Sequence, residues 1–358
     1  MLPVLFTLTL SPERGPWVLL ALALAAGAWQ LILERRGGAA WPIALRAFAL
    51  WTLGTEAALF LAARLLGGPG HESPFRFTAP LTLPLHTYGL AMAAAFVVAM
   101  WLAGRSAARA GLDKERVMDL CFWILVSAMV GSRLLFIVVN WDQYASNPWA
   151  IFAVWNGGLV FYGGFLAAVF CSAWYLRRHR MKFFPVADAL IPSVAIGHAI
   201  GRLGCFAAGC CWGGTCDPHL AWAARFPPES IVYQSQLASH LIASGAPHTL
   251  PIHPTQLYES LGELCIFAAL TFWSRRKRFQ GELLALYLVL YAPLRAVVET
   301  LRGDEERGRV FSFVGPAARN AWWNLSTSEL ISVGVFAAGV ALLVVLSRRA
   351  PPAGAAAS

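Results

Sequence analysis

The sequence predicts an all-α, polytopic transmembrane protein, and three observations carry that prediction. The 358 residues are 58% hydrophobic and only 13% charged, with a mean hydropathy of +0.58; a water-soluble domain of this length does not show such a composition. Apolar runs recur at the length of about 20 residues that a helix needs to cross a hydrocarbon core. The basic residues bunch between those runs, so the net charge of +9 is a topology signal and not the footprint of a nucleic-acid partner.

Roughly nine spans are expected, over residues 17–33, 42–66, 85–104, 118–139, 157–176, 184–200, 256–273, 282–301 and 329–346. Sixteen of the 28 Lys and Arg fall in five clusters: Arg35 and Arg36; Arg105, Arg109, Lys114 and Arg116; Arg177, Arg178, Arg180 and Lys182; Arg275 to Arg278; and Arg348 with Arg349. Each cluster follows an odd-numbered span, which places the N-terminus outside and the C-terminus inside. The first residues lack the charged start and small-residue cleavage site of a secretory signal, so no processing is expected there.

Residues 1–80 form a two-helix appendage. Glu34, Arg35 and Arg36 separate its spans, and the second carries Arg46, Glu56 and Arg64; Glu56 is expected to be a paired or protonated carboxyl, not a site. The loop from Gly67 to Pro80 is the boundary to the main membrane domain, 81–349, and residues 350–358 form a disordered tail.

Within that domain the costly groups share one depth. His86 and Tyr88 open the third span from outside, Gly131 and Arg133 lie in the outer half of the fourth, and Tyr162 stands near the outer start of the fifth. Arg202 ends the sixth, and His253, Gln256, Tyr258 and Glu259 open the seventh. In the eighth, Tyr291, Arg295 and Glu299 recur on one helical face, with Arg302 beyond them. Only Asp188 belongs to the inner end. Three arginines from three spans at one depth point to an anion, because a guanidinium fork matches phosphate bidentately and gains strength in a low dielectric. The expected ligand is a phosphate on an outer-leaflet lipid.

The stretch GRLGCFAAGCCWGG, Gly201 to Gly214, organises that end, its glycines allowing a sharp turn and close approach to a bound group. Of the seven cysteines, Cys205, Cys210, Cys211 and Cys216 crowd here, with Cys121, Cys171 and Cys265 elsewhere. Structural use is the favoured reading, as small buried residues or as one disulfide in an oxidising compartment. The spacing lacks the paired pattern of zinc modules, so no metal and no other cofactor is expected. A redox or acyl-carrying nucleophile is the remaining alternative. Residues 212–252 are too polar to span and should form an outside arm that screens the site or guides a substrate. The second outside segment, 303–325, carries RGDEERGR and places Trp322 and Trp323 at the lipid headgroups.

From His86 to Ser347 the order HTYG, GSRLLF, WNGGLVFYGG, VADALIP, GRLGCFAAG, HPTQLYE, YAPLRAVVETLR and STSELIS resembles the prolipoprotein diacylglyceryl transferase family. The resemblance implies a seven-span body in the bacterial inner membrane with its active site towards the periplasm. It implies transfer of diacylglyceryl from phosphatidylglycerol to the lipobox cysteine in the signal peptides of preprolipoproteins, with membrane lipids as surroundings and no nucleic acid. Arg202 and Arg295 match the arginines that hold and activate the headgroup. Tyr88, Tyr291, Glu299, Arg302 and His253 fall on further positions of the pattern, and Gly213 on its glycine; Arg133, Cys205 and Tyr258 are expected to contact substrate. Three positions depart from the family: its usual HGG histidine is Tyr162, its signature asparagine is Cys205, and the glutamate of its GEL segment is Cys210. The base is therefore open among Tyr162, Glu299, Glu259 and His253, and three other functions stay open. These are a same-fold lipid transferase with another acceptor, a non-catalytic lipid-binding protein, and a membrane thiol oxidoreductase.

Overall fold

A computed structural model describes residues 4–10, 81–145, 160–303 and 326–349, with Leu24, Ala28, Ile151 and Gly158 in addition. The first two expected spans apart from Leu24 and Ala28, Glu56, the loop 67–80, residues 304–325 with Trp322 and Trp323, and the tail lie outside the described residues. The chain divides into two compact units, Val4–His86, and Met1–Pro3 together with Thr87–Ser358.

In the first unit, β1 (Val4–Leu10) pairs antiparallel with β2 (Leu81–His86), with Leu10 opposite Leu81, Val4 opposite His86 and an irregularity between Val4 and Phe6. Residues Thr7–Leu10 of β1 and Leu81–Leu85 of β2 alternate threonine or proline with leucine, a period of two that suits a strand, and Pro84 disfavours helix for the residue before it. The first helix of the body therefore starts at Thr87, slightly later than the apolar run suggests.

The second unit is helical: α1 (Thr87–Arg109), α2 (Lys114–Val139), α3 (Trp141–Ala145), α4 (Phe161–Arg178), α5 (Phe183–Ala208), α6 (Ile231–Ala238), α7 (Thr255–Ser274), α8 (Glu282–Thr300) and α9 (Thr327–Arg349). Its seven long helices coincide with the seven expected body spans. Helices α1, α2, α5, α8 and α9 are each long and apolar enough to cross a membrane, as a polytopic membrane protein requires. Large apolar side chains such as Val138, Phe161 and Phe170 stay exposed, a surface suited to lipid and not to water.

With lipid outside, helices gain little from apolar burial against each other, and close backbone approach supplies the contact instead. Helix α1 lies on α5, α2 on α4, α7 on α5 and α9 on α8. Where α2 meets α4, a Cβ at Gly163 would strike the Gly131 carbonyl, and one at Gly164 would come within 2.9 Å of the Ala128 oxygen. Gly163→Leu is accordingly expected to force the pair apart and abolish recovery of monodisperse protein in detergent, while Gly334→Leu, with open space around it, should leave recovery unchanged. Normal recovery of the Gly163 variant would overturn this packing account.

The basic clusters lie at the α1–α2, α4–α5 and α7–α8 turns and at the end of α9, so connectivity puts them at one end of the body. Asp188, 2% exposed, organises that end, accepting from the backbone N–H groups of Gly281 at 2.7 Å and Leu284 at 3.1 Å and pairing with Lys277 at 3.1 Å. The C-termini of α5 and α8 and the N-termini of α7 and α9 mark the opposite end. Between α5 and α7, residues 209–254 fold against that end around Ala224, Phe226, Val232 and Ile252, with Phe206 and Trp212 packed on them.

Candidate functional site

Three helices carry polar residues at four-residue spacing: His198 and Arg202 on α5, Glu259 and Glu263 on α7, and Tyr287, Tyr291, Arg295 and Glu299 on α8. Four residues is slightly more than one helical turn, so each set makes a ladder on one face. The helices turn those faces toward one another. Glu259 and Glu263 are 1% and 0% exposed, and isolated carboxylates buried so deeply would be prohibitively costly, so partners are obligatory.

The partners are present. Arg202 Nη2 donates to Glu259 Oε1 at 2.8 Å, and the His198 ring bridges both carboxylates, with Nδ1 2.7 Å from Glu263 Oε1 and Nε2 3.4 Å from Glu259 Oε1. Tyr287 donates its hydroxyl to Glu263 at 3.2 Å and stacks on Tyr291, with ring centroids 5.5 Å apart. Tyr291 in turn lies 5.7 Å from the His198 ring and within electrostatic reach of both Arg202 and Arg295. One turn on, Arg295 Nη2 pairs with Glu299 at 2.6 Å and donates to Ser328 Oγ at 3.2 Å, tying α8 to α9.

Each arginine keeps a donor in reserve. The buried Arg202 Nε and Arg295 Nη1 have no hydrogen-bond partner among the described residues. Buried N–H groups left unmet cost about 1–3 kcal/mol each, more when charged, so an anion that accepts from them recovers that cost.

The end of α5 builds the next layer. Gly209 adopts φ +65° as a left-handed cap, and the Cys210 N–H closes back on the Cys205 carbonyl at 3.1 Å. Cys211 follows at φ +58°, a region that costs a residue with a Cβ roughly 1–2 kcal/mol. Gln256 Nε2 holds the Cys210 carbonyl at 2.7 Å and Thr255 Oγ1 holds that of Cys211 at 3.1 Å. The neighbouring Cys205 and Cys210 thiols, with the Arg302 guanidinium, hold the Cys211 thiol below its ordinary range, while Cys205, Cys211 and burial push Cys210 up. Gly213 bridges to Arg302; a Cβ there would meet the His253 carbonyl at 2.5 Å and the Leu301 carbonyl at 2.9 Å, so only glycine fits this crossing. His253 Nδ1 is 3.3 Å from the Tyr258 hydroxyl, which accepts from Trp222 Nε1 at 2.9 Å. Tyr88, half exposed, packs against Gly204 and is in electrostatic reach of Cys205, Cys210, Cys211 and Arg202.

Two expected site residues stand elsewhere. Arg133, 6% exposed, gives its guanidinium to the carbonyls of Ile151 at 3.3 Å and Gly158 at 3.2 Å and lies over the Phe136 and Tyr144 rings; it anchors the chain leading into α4. Tyr162 is 58% exposed, with Phe161 as its described ring neighbour. Conversely, sequence reasoning passed over His198, Glu263, Tyr287 and Ser328. The four-residue ladders of α5, α7 and α8, compared side by side, carry the signal for the first three.

A family model described as prolipoprotein diacylglyceryl transferase matches residues 74–345. The phosphatidylglycerol–prolipoprotein diacylglyceryl transferase of Erwinia tasmaniensis is 32% identical over 276 residues, 75% of this chain and 90% of its own. Those of Serratia proteamaculans and Escherichia coli O1:K1 are likewise 32% identical over 280 and 275 residues, each covering 75% of this chain and 91% of the relative. With its seven long helices, its carboxylate-paired arginines and a match across about three quarters of its length, the chain belongs to the prolipoprotein diacylglyceryl transferase family.

Proposed function

We propose that the chain moves the diacylglyceryl group of phosphatidylglycerol onto the lipobox cysteine thiol of preprolipoproteins, the first step of bacterial lipoprotein maturation. It does so from the bacterial inner membrane, with the site towards the periplasm. The observation that carries the reading is the pair of partly exposed guanidinium groups, each with a buried N–H still to be accepted. In this reaction the thiolate sulfur bonds to the terminal glycerol carbon, the carbon–oxygen bond breaks, and its electron pair leaves on glycerol phosphate. Negative charge grows on the phosphate oxygens, and donors fixed beside them lower the barrier. Arg202 and Arg295 are those donors. Glu259 and Glu299 aim them, and Tyr88, Tyr291, His253, Arg302 and the Gly213 crossing shape the headgroup pocket.

The carboxylates and His253 already hold partners, and Tyr162 makes no described contact with either arginine. Tyr162 orients substrate at most, so Tyr162→Phe should keep transfer within about twofold, since a tyrosine of reference pKa about 10 is a poor base unaided. Residues 1–80 are an added two-helix membrane segment on the transferase body, and 212–252 an arm over the substrate entry. The test is mass spectrometry of a synthetic lipobox peptide incubated with purified protein and phosphatidylglycerol. A diacylglyceryl mass on the cysteine is the expected result. An unmodified peptide, with folded protein that binds the lipid, would assign the fold to another acceptor or to binding alone.

A further inference from the structure

The mechanism leaves one demand unmet, removal of the acceptor thiol's proton, and one feature unused, the cysteine cluster. Cys205, Cys210 and Cys211 place their three Sγ atoms within 4.8 Å of one another. We infer that these three thiols form a site for a thiophilic divalent cation, zinc in the cell, with its fourth coordination position open to the acceptor's sulfur. The second half of this inference rests on the transfer reading; the first half does not.

Distance and chemistry favour the ion. Thiolate sulfurs stand about 2.3 Å from zinc in a tetrahedral site, which puts them roughly 3.8 Å apart, so small rotamer shifts close the cluster on a metal. A disulfide would use two of the three sulfurs and strand the third, whereas an ion uses all of them. The backbone is already committed to the arrangement. The left-handed cap at Gly209 returns Cys210 over the last turn of α5, and the positive φ of Cys211 brings the third thiol to the same side. Gln256 and Thr255, both 1% exposed, fix the two carbonyls from α7, as outer groups fix metal ligands generally. Three thiolates and a dication carry one net negative charge, and the Arg302 guanidinium, in electrostatic reach of Cys211, offsets it.

Three protein ligands leave a position open, the pattern of a catalytic and not a purely structural zinc site. Tyr88 and Arg202 lie in electrostatic reach of the cluster, so the open position belongs to the headgroup end of the molecule. A thiol that binds there gives its proton to water and remains as bound thiolate. That thiolate then displaces glycerol phosphate as described above, without any change of oxidation state. This departs from the expectation of a metal-free site, which rested on linear spacing. The left-handed residues, not the spacing, bring the sulfurs together.

The experiment is cobalt(II) titration of the reduced full chain in detergent. It should bind one equivalent with an intense sulfur-to-cobalt charge-transfer band. The band should be lost in Cys210→Ser and in Cys211→Ser, each checked for folding by its thermal transition, and kept in Cys216→Ser. Absence of the band, or its persistence in both variants, overturns the site. So does a disulfide among the three that forms in air despite excess zinc. A lipobox peptide should then strengthen the band, and its Cys→Ser analogue should not; an unchanged spectrum with the cysteine peptide overturns the acceptor role. Transfer is followed separately by mass spectrometry. A cobalt site in protein that never lipidates the peptide would count against the transfer reading and leave the metal site standing, while undiminished transfer by metal-stripped protein would count against the catalytic use of the ion alone.

Discussion

Arg295→Ala and Arg202→Ala are each expected to cut the transfer rate by about 10²–10³-fold, the usual loss on removing one fixed donor to a developing anion. The effect should fall on kcat more than on KM, because the guanidinium N–H that is unmet in the free protein is met best when charge accumulates on the leaving phosphate. Alanine also strips Glu259 or Glu299 of a cation, so folding needs its own control. Lysine at either position keeps a charge beside the carboxylate and loses the planar fork. Arg202→Lys and Arg295→Lys should therefore fold and insert normally yet remain at least tenfold slow. The double alanine variant should be little worse than either single one, since the two groups act on one phosphate. Lipobox peptide lipidation, quantified by mass spectrometry, checks all of these. Normal turnover in either lysine variant would remove the bidentate phosphate from the mechanism.

How far the sequence discloses this site depends on what each residue needs. The seven body helices are legible because membrane spans announce themselves by length, apolarity and the basic clusters at their ends. Arg202, Glu259, Arg295 and Glu299 are legible because a charged group deep in an apolar run demands a reason. His198 gives no such signal by itself; a single histidine between Gly197 and Ala199 reads as packing until Glu263 is known to be 2.7 Å away. Arg133 misleads for the opposite reason. Its depth matches that of the other arginines, but its side chain is spoken for by carbonyls 18 and 25 residues further on, and pairing at that range is a property of the fold. The cysteine triad needs the φ values of Gly209 and Cys211, which no count of intervening residues contains.

Glu259 tests whether the ladders work as one unit. It accepts from Arg202 and faces the His198 ring from a position that is 1% exposed. Glu259→Leu therefore leaves a largely enclosed guanidinium, 16% exposed, with its Nη2 unpaired in addition to its buried Nε. Breaking a buried pair from one side typically costs about 3–5 kcal/mol, a large part of the stability of a domain. The variant should accordingly lose most of its folded population on mild heating in detergent. Glu259→Gln keeps an acceptor for Arg202 and removes only the charge, so it should fold close to normally and reveal the functional share of the contact. In that variant the guanidinium is held but no longer drawn toward a carboxylate, and an incoming phosphate faces less competition for it. Lipid affinity should hold or rise while the rate falls, because the arginine is aimed less tightly at the transition state. A rate and an affinity that fall together would instead make Glu259 a structural strut, and Arg202 would owe its position to the packing of α5 alone.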